Sequence, residues 1–512
     1  MSMTAQPTWR PLKAVLGGLV DIPDRLEVSD ITQDSRSVIP GAAFLACQGR
    51  TQHGLKFVDA AVSAGARAVL WEPAPGVAAP VVDGSIVVRA VPNLHAQLGY
   101  IADRFFDAPS AGMMVAAITG TNGKTTCAWL LAQALNLCGR SAAYIGTLGF
   151  GTPGVMHTLE QTTPDAVTLQ RALATLRAAG MDSIAMEVSS HALDQNRCAG
   201  MRMHSAVFTN LSRDHLDYHG DMDSYGAAKA KLFNWPTLAA RVINVDDPFG
   251  QELARERLQG AGAVQSRLFL TSQHSNEWLT SGADFVYTEG VRASAHGLEL
   301  DVESSRGETL LHSHLLGDFN VDNLLTVLAT LLAWDVPLDQ ARMALERCSA
   351  PPGRMQPDGG GALPLVLVDY AHTPDALSKA LHAARAHCDG RLWCVFGCGG
   401  ERDVGKRGLM GQVAAQLADE IVVTDDNPRR ENPDRIVAAI MEGVIAAGAG
   451  WRVQVNHDRA QAIRAAVSKA HAGDVVLVAG KGHEDYQLIG NERREFSDAA
   501  VVHQILAEQA PQ

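Results

Sequence analysis

ITGTNGKTT, Ile118 to Thr126, closes the apolar run MMVAAIT (Met113–Thr119) and opens a helical pattern from about Lys124 to Leu137. A strand that feeds a glycine-punctuated loop and then a helix is the building step of a parallel α/β sheet. It is also the form of a phosphate-binding loop, whose backbone N–H groups surround phosphate oxygens. The positive end of the following helix faces the same anion. Lys124 supplies the neutralising charge, and the Thr125 hydroxyl is suited to Mg²⁺. The common G-x-x-x-x-G-K-[ST] spacing needs glycine at position 118, where this chain has Ile118. Gly120 and Gly123 therefore do the turning, with Thr121, Asn122 and Thr126 completing the loop. A plain strand-to-helix turn that happens to hold Gly-Lys is the alternative, and the strand before and helix after weigh against it. The loop alone does not separate kinase, GTPase, motor and ligase.

The same alternation extends outward in both directions. SIAMEV (Ser183–Val188) and RVINV (Arg241–Val245) follow the loop, and PLVLVDY, RLWCVFG, EIVVTDD and DVVLVAG repeat the pattern between Pro364 and Gly480. Apolar runs alternating with helical patterns predict α/β architecture with mainly parallel sheets. Two punctuation points, DAPSAG (Asp107–Gly112) and SAPPGR (Ser349–Arg354), divide the chain into parts at 1–110, 111–349 and 350–512. A chain of 512 residues has room for two to four domains of ordinary size.

Composition excludes several classes. Hydrophobic residues at 46% and charged residues at 19% are the balance of a folded globular protein. A formal charge of −13 argues against a nucleic-acid partner, though local positive sites can still take anions. No apolar run is long enough for a membrane span, and AVLGGLV (Ala14–Val20) reads as a helix rather than a signal peptide. The eight cysteines form no CxxC pair, which points to a reducing compartment, the cytoplasm. Cys394 and Cys398 read as strand-end packing rather than as metal ligands.

Two further stretches, AMEVSSHALDQNR (Ala185–Arg197) and FTNLSRDHLDYHGDMDSYGAAKAKLF (Phe208–Phe233), set acidic, imidazole and hydroxyl groups at or just after strand ends. In a parallel sheet that edge is where ligands bind. Glu187 ends its strand and is placed to hold Mg²⁺, a hard cation that takes oxygen ligands. A solvated carboxylate is the plain alternative for Glu187, a packed histidine for His215, and a surface lysine for Lys229.

Together with TGTNGKTT, these stretches and LLGDFNVDN, GRM, VDYAHTPDAL, GCGGERDVGKR, DDNPR and GKGHEDYQ resemble the Mur ligases of cell-wall synthesis, in particular their diaminopimelate-adding branch. The resemblance runs from DSRSVIPGAAF (Asp34–Phe44) to GKGHEDYQ (Gly480–Gln487). It implies three domains: an N-terminal α/β domain for the UDP-linked substrate, a central P-loop ATPase-like domain with a parallel or mixed sheet, and a C-terminal Rossmann-like domain for the amino acid. It implies a monomeric ligase of peptidoglycan synthesis that uses ATP and Mg²⁺. Its other substrates would be UDP-N-acetylmuramoyl-dipeptide and meso-diaminopimelate.

The resemblance also carries residue roles. Lys124, Glu187, His215 and Lys229 would be catalytic. Thr125, Glu187, His215 and Lys229 would surround Mg²⁺, with Lys229 as a carbamate. Gly120 to Thr126, with Asn320, Arg354 and Asp369, would hold ATP. Gln33, Ser35, Arg50, Thr51, Gln52, Gln161, Thr162, Thr163, Ser189, Gln195 and Arg197 would hold the UDP-linked substrate. This chain departs from the commoner pattern at Arg50–Gln52 and at Gln161. Arg402, Asp426, Asn427, Pro428, Arg429, Gly480 and Glu484 would hold diaminopimelate.

The physics of the last group agrees. Arg429 and Arg402 offer planar forks for a carboxylate, and Glu484 offers an anion to an ammonium. Diaminopimelate carries both groups at its far end, whereas lysine lacks the carboxylate. Because an acyl phosphate hydrolyses in water, the parts carrying ATP and amine are expected to close during turnover. Two rivals share the superfamily, a lysine-adding ligase and a folylpolyglutamate synthetase. A P-loop nucleotide switch without ligase activity is a rival of another class.

Overall fold

The computed structural model describes residues 9–49, 52–259, 266–275, 277–294 and 297–509. The chain packs as two compact units. One holds Met1–Lys124, Gly139–Arg241 and Arg255–Arg267, and the other holds Thr125–Cys138, Val242–Ala254 and Leu268–Gln512.

The first unit begins with a four-stranded parallel sheet in the order Ile31–Thr32, Ala43–Ala46, Ala68–Trp71, Val87–Ala90. The central strands AFLA and AVLW are buried along their whole length, as parallel strands covered on both faces must be. Leu45 and Leu70 pack with Leu12, Leu16, Leu98 and Ile101 on one side, while Phe44 and Val69 pack with Val58 and Ala61 on the other. The helix read from AVLGGLV is shorter than its apolar run. It spans Leu12–Leu16 and stops where Gly17 turns left-handed at φ 59°.

The second sheet of this unit carries the loop. The six strands of it that bear on the site run Val155–His157, Gly149–Thr152, Ala142–Gly146, Ser183–Glu187, Met114–Thr119, Ser205–Phe208. The last four are mutually parallel, and the first two form antiparallel partners at the edge. Register aligns Glu187 with Ile118 and Phe208 with Thr119. Three strand ends, and the chain just beyond each, therefore reach one edge together.

In the second unit, a six-stranded sheet runs Gln356–Gly359, Leu365–Asp369, Val475–Ala479, Leu392–Phe396, Glu420–Val423, Val453–Val455. It is parallel except at its first strand. Alternate residues enter two different cores: Leu365 and Leu367 one, Val366 and Val368 the other. That period of two with both faces covered is the doubly wound pattern. Cys394 and Cys398 are buried in the first of these cores, and burial pushes the Cys398 thiol up to about 12. An antiparallel meander, Asp284–Ser294, Gly297–Ser304 and Gly307–Ser313, precedes the helix Phe319–Ala333. This helix is apolar almost all round and nearly all its residues are buried, the two properties that go together. Among the described residues no helix is long and apolar enough to cross a membrane.

Candidate active site

Strand geometry in the first unit gathers the loop, Glu187 and the segment after Phe208. Gly120 (φ 153°) and Gly123 (φ 84°) take backbone angles that disfavour side chains. At Gly120 a Cβ would stand 1.9 Å from the Thr209 hydroxyl, so glycine is required for the close approach. The Thr209 hydroxyl donates to the Asn122 carbonyl at 2.6 Å, and Asn122 N–H donates to Asn210 Oδ1 at 2.9 Å. Thr121 N–H donates to the Asn210 carbonyl at 2.8 Å, and its hydroxyl accepts Ser212 N–H at 2.9 Å. The loop is thus held from behind by the Thr209–Ser212 segment. The helix Lys124–Leu137 starts directly from it, with Thr125 and Thr126 buried in its first turn.

Two lysines converge on this loop. Lys124 Nζ donates to the carbonyls of Gly120 (2.9 Å) and Thr121 (2.8 Å). Lys229 Nζ donates to the same Gly120 carbonyl at 2.8 Å. Lys229 comes from the helix Met222–Ala230, is 1% exposed, and lies 4.4 Å from the Tyr225 ring centre. Burial first, then the neighbouring Lys124 charge, holds its amine well below the usual lysine range, with Asp214 opposing. Tyr225, likewise buried, has its hydroxyl pushed up to about 12.

Glu187 is 1% exposed. Its Oε1 accepts the Tyr144 hydroxyl and, at 2.9 Å, the Thr147 N–H, while Oε2 accepts the Thr147 hydroxyl at 3.2 Å. Gly146 makes room for it, since a Cβ there would stand 2.2 Å from Oε1. His215 is about half exposed, has a left-handed backbone (φ 52°), and lies with its Nε2 3.4 Å from Asp214 Oδ2. Its ring is 4.9 Å from that of His191. Burial, with His215 and His219 adding, lowers His191 to about 4. Among the described residues no three His, Cys, Asp or Glu side chains form a metal-holding group. Glu187 nonetheless brings the hard oxygens that magnesium takes. Lys229 as an ammonium would repel the ion, and as a carbamate it would fit.

Beside Glu187, six of the predicted substrate residues form one connected set. The Thr163 hydroxyl donates to the Glu187 carbonyl at 2.9 Å and accepts Ser189 N–H at 3.0 Å. Arg197 donates to the Thr163 carbonyl at 2.8 Å, to Gln195 Oε1 at 2.6 and 3.0 Å, and to Gln161 Oε1. The Thr162 hydroxyl meets that of Thr147 at 3.0 Å. Gln33 donates to Asp165 Oδ1 at 2.9 Å, Ser35 is half-buried and Gln52 is exposed. Arg50 and Thr51 lie outside the described residues.

The remaining predicted residues lie in the second unit, in separate groups. Asp369 accepts Met355 N–H at 2.8 Å and Ala371 N–H at 2.9 Å, and burial raises its carboxyl despite the nearby Arg354. The Arg354 guanidinium lies 4.9 Å from the Tyr370 ring centre. Asn320 turns inward, donating to the Leu316 carbonyl and accepting from Asn323, each at 2.8 Å.

Arg402 and Arg429 flank Gly399. A Cβ there would stand 3.0 Å from Arg429 Nη1 and 3.6 Å from Arg402 Cγ. Arg429, left-handed at φ 52° after Pro428, also donates to the Gly400 carbonyl at 2.9 Å. Glu484 Oε2 accepts Asn427 Nδ2 at 2.9 Å, and Asp426 is buried beside Gly480, with burial raising its carboxyl. Sequence reasoning missed Tyr144, Thr147, Asn210, Tyr225 and Lys481, which support these groups.

Residues 27–118, 118–331 and 353–482 match, in order, the Mur ligase family catalytic domain, the Mur ligase middle domain and the Mur ligase glutamate ligase domain. A UDP-N-acetylmuramoyl-L-alanyl-D-glutamate--2,6-diaminopimelate ligase of Ectopseudomonas mendocina (strain ymp) is 50% identical over 480 residues, covering 94% of this chain and 95% of that protein. The protein of the same name from Pseudomonas aeruginosa is 47% identical over 482 residues, covering 94% and 96%. A solved structure of a ligase of that name has 34% identity and a TM-score of 0.70, covering 98% of this chain and 99% of its own. A MurF ligase from Thermotoga maritima in complex with ADP shares the fold at TM-score 0.59 and 16% identity, covering 94% and 96%. On three consecutive domain matches and near full-length identity of about one half, the chain belongs to the Mur ligase family.

Proposed function

We propose that the protein joins meso-2,6-diaminopimelate to the D-glutamate γ-carboxylate of UDP-N-acetylmuramoyl-L-alanyl-D-glutamate, with cleavage of ATP to ADP and phosphate. It works as a cytoplasmic monomer whose parts divide near residues 110 and 349. The observation that carries the reading is the pair Arg402 and Arg429 beside Gly399, close in sequence and structure to Glu484-bound Asn427. Two guanidinium forks and a carboxylate suit a ligand end that bears both a carboxylate and an ammonium.

In this reading the loop Gly120–Thr126 holds the ATP phosphates, and Asn320, Arg354 and Asp369 hold adenosine. Gln161, Thr162, Thr163, Ser189, Gln195 and Arg197 hold the muramoyl dipeptide, and Gln33, Ser35, Arg50, Thr51 and Gln52 the uridine nucleotide. A γ-carboxylate oxygen attacks the γ-phosphorus and ADP leaves, giving an acyl phosphate. The diaminopimelate amine then attacks the acyl carbon, the C–O bond to phosphate breaks, and the nitrogen loses a proton. The protein's contribution is alignment and charge stabilisation, with Lys124 countering the charge on the transferring group.

Magnesium, when bound, screens the negative charge shared by the carboxylate and the phosphates. Thr125, Glu187, His215 and carbamylated Lys229 would hold it. Forming that carbamate joins the neutral Lys229 nitrogen to the carbon of CO₂ with release of a proton, and the lowered amine pKa favours the reactive neutral form.

Incubation with ATP, Mg²⁺, the UDP-linked dipeptide and one amine at a time, followed by mass measurement, tests the reading. Diaminopimelate yields the tripeptide product. Lysine, which leaves the arginines unpaired, is disfavoured by about 10⁴–10⁵ in kcat/KM. Equal use of lysine would replace the reading with that of a lysine-adding ligase.

A further inference from the structure

Lys481 takes a cation to a place without water. Its side chain is 0% exposed, and Nζ donates to Glu484 Oε2 at 2.9 Å and to Asn427 Oδ1 at 3.2 Å. It also lies 3.7 Å from Asp426 Oδ1. Asn427 closes the triangle: its Nδ2 donates to the same Glu484 oxygen at 2.9 Å, and its Oδ1 accepts Leu488 N–H at 2.9 Å.

Deeper still, Arg459 and Asp498 are paired by two 2.7 Å bonds, both side chains 0% exposed. Arg459 Nη2 also donates to the Ala479 carbonyl at 3.0 Å. Gly480 fits between this pair and Asp426, where a Cβ would stand 3.3 Å from Asp426 Oδ2 and 3.9 Å from Arg459 Nη2. Asp498, Arg459, Asp426, Lys481 and Glu484 thus form a row of acids and bases in alternation, and Glu484 is its most exposed member at 19%.

Buried charge persists only where partners hold it. Here three carboxyl groups face two cations, and the end of the row that meets solvent is a carboxylate. Oε2 of that carboxylate already accepts two bonds from Lys481 and Asn427, which fixes its plane and leaves Oε1 to a ligand. An arriving ammonium would pair with that outermost carboxylate.

Resting on the function proposed above, we propose that Lys481 is a positioning residue for amino-acid selection. It does not touch the substrate; it holds Glu484 and Asn427 so that Glu484 Oε1 receives the far ammonium of diaminopimelate. Arg402 and Arg429 take the far carboxylate independently of it.

The test uses the full chain at saturating ATP and UDP-linked dipeptide, with diaminopimelate or 2-aminopimelate as the varied amine. 2-Aminopimelate keeps the far carboxylate and lacks the far ammonium. Lys481→Met should raise KM for diaminopimelate by roughly ten- to a hundredfold while leaving kcat and the KM for 2-aminopimelate near those of the wild type. The double variant Lys481→Met/Glu484→Gln should be no worse than Glu484→Gln alone, since one residue acts through the other. If Lys481→Met does not fold, Lys481→Gln keeps a donor without the charge, and the same split is expected of it. An unchanged KM for diaminopimelate, an equal rise for both amines, or losses that multiply in the double variant would each overturn the role of Lys481 and leave the ligase reading standing. A wild-type enzyme that makes no product with diaminopimelate would overturn both.

Discussion

At Lys229 the surroundings disfavour the form a lysine normally takes. Burial and Lys124 both act against the ammonium, and the Gly120 carbonyl and Tyr225 ring compensate only in part. A Lys229 amine shifted toward its neutral form and hydrogen-bonded directly to the Gly120 carbonyl of the phosphate loop is suited to react with CO₂, and the product would change a repelling cation into an oxygen ligand. Lys229→Ala is therefore expected to lower kcat by about 10²–10³, the range for removing one preorganised electrostatic group. A small carboxylate such as acetate should restore part of the loss. Wild-type enzyme stripped of CO₂ should slow and recover with bicarbonate, while the variant responds to neither, as steady-state ADP release would show. Wild-type rates in the alanine variant would remove this account of Lys229. The amino-acid pattern around Lys229, YGAAKAKLF, carried none of this by itself, because a lysine among small residues on a helix is ordinarily solvated.

Elements are held by pairs as well as by cores. The helix Gly405–Leu417 is tied to the chain beyond Arg429 by Arg407, whose two terminal nitrogens donate to Glu431 at 2.7 and 2.8 Å. Glu431 also accepts the N–H of Glu401 at 3.0 Å, a residue in a left-handed turn (φ 53°) next to Arg402. The Arg407 guanidinium, with the Glu401 N–H adding, holds the Glu431 carboxyl down to about 2. A carboxyl with a lowered folded-state pKa stabilises the fold fully above its unfolded value, and that contribution disappears as pH falls through the folded value. Glu431→Gln should thus have a lower urea midpoint than wild type at neutral pH, and the gap should narrow between about pH 4.5 and 2. A gap that stays constant down to that range would mean the pair does not carry the difference. Element by element, the sequence told most where the signal is local: the loop strand, Glu187 at its strand end, the sheet strands, and the Asp426–Arg429 turn all lie where the patterns put them. It told least where partners are remote. Tyr144 reaches Glu187 from another strand, Tyr225 reaches Thr121 from 104 residues away, and Arg459 meets Asp498 across 39. Nothing in a single sequence marks which lysine or arginine folding will bury. AVLGGLV shows the converse, an apolar run cut short as a helix because Gly17 turns left-handed.

For the molecule as a whole the governing problem is a reactive intermediate. An acyl phosphate reacts with water as well as with amines, so a ligase must not let ATP cleavage run ahead of amide formation. The chain has a net charge of −13 and handles anionic substrates, so binding has to come from local cations such as Lys124 and Arg197 rather than from an overall field. In the reading proposed above those cations serve different groups: Lys124 and its loop the nucleotide, Arg197 and its set the dipeptide acceptor, and Arg402 with Arg429 the far carboxylate of the amino acid. A nucleotide switch would need only the first. Quenched time courses should therefore show no ADP formation above background with ATP alone. With ATP and the UDP-linked dipeptide but no amine, ADP should rise no further than one per chain and then stall. With diaminopimelate added, ADP and product should accumulate in equal amounts. Steady ATP turnover that ignores the dipeptide would take the protein out of the ligase class whatever its resemblance. ADP that keeps rising past one per chain with the dipeptide but no diaminopimelate would mean instead that the acyl phosphate forms as proposed and escapes to water.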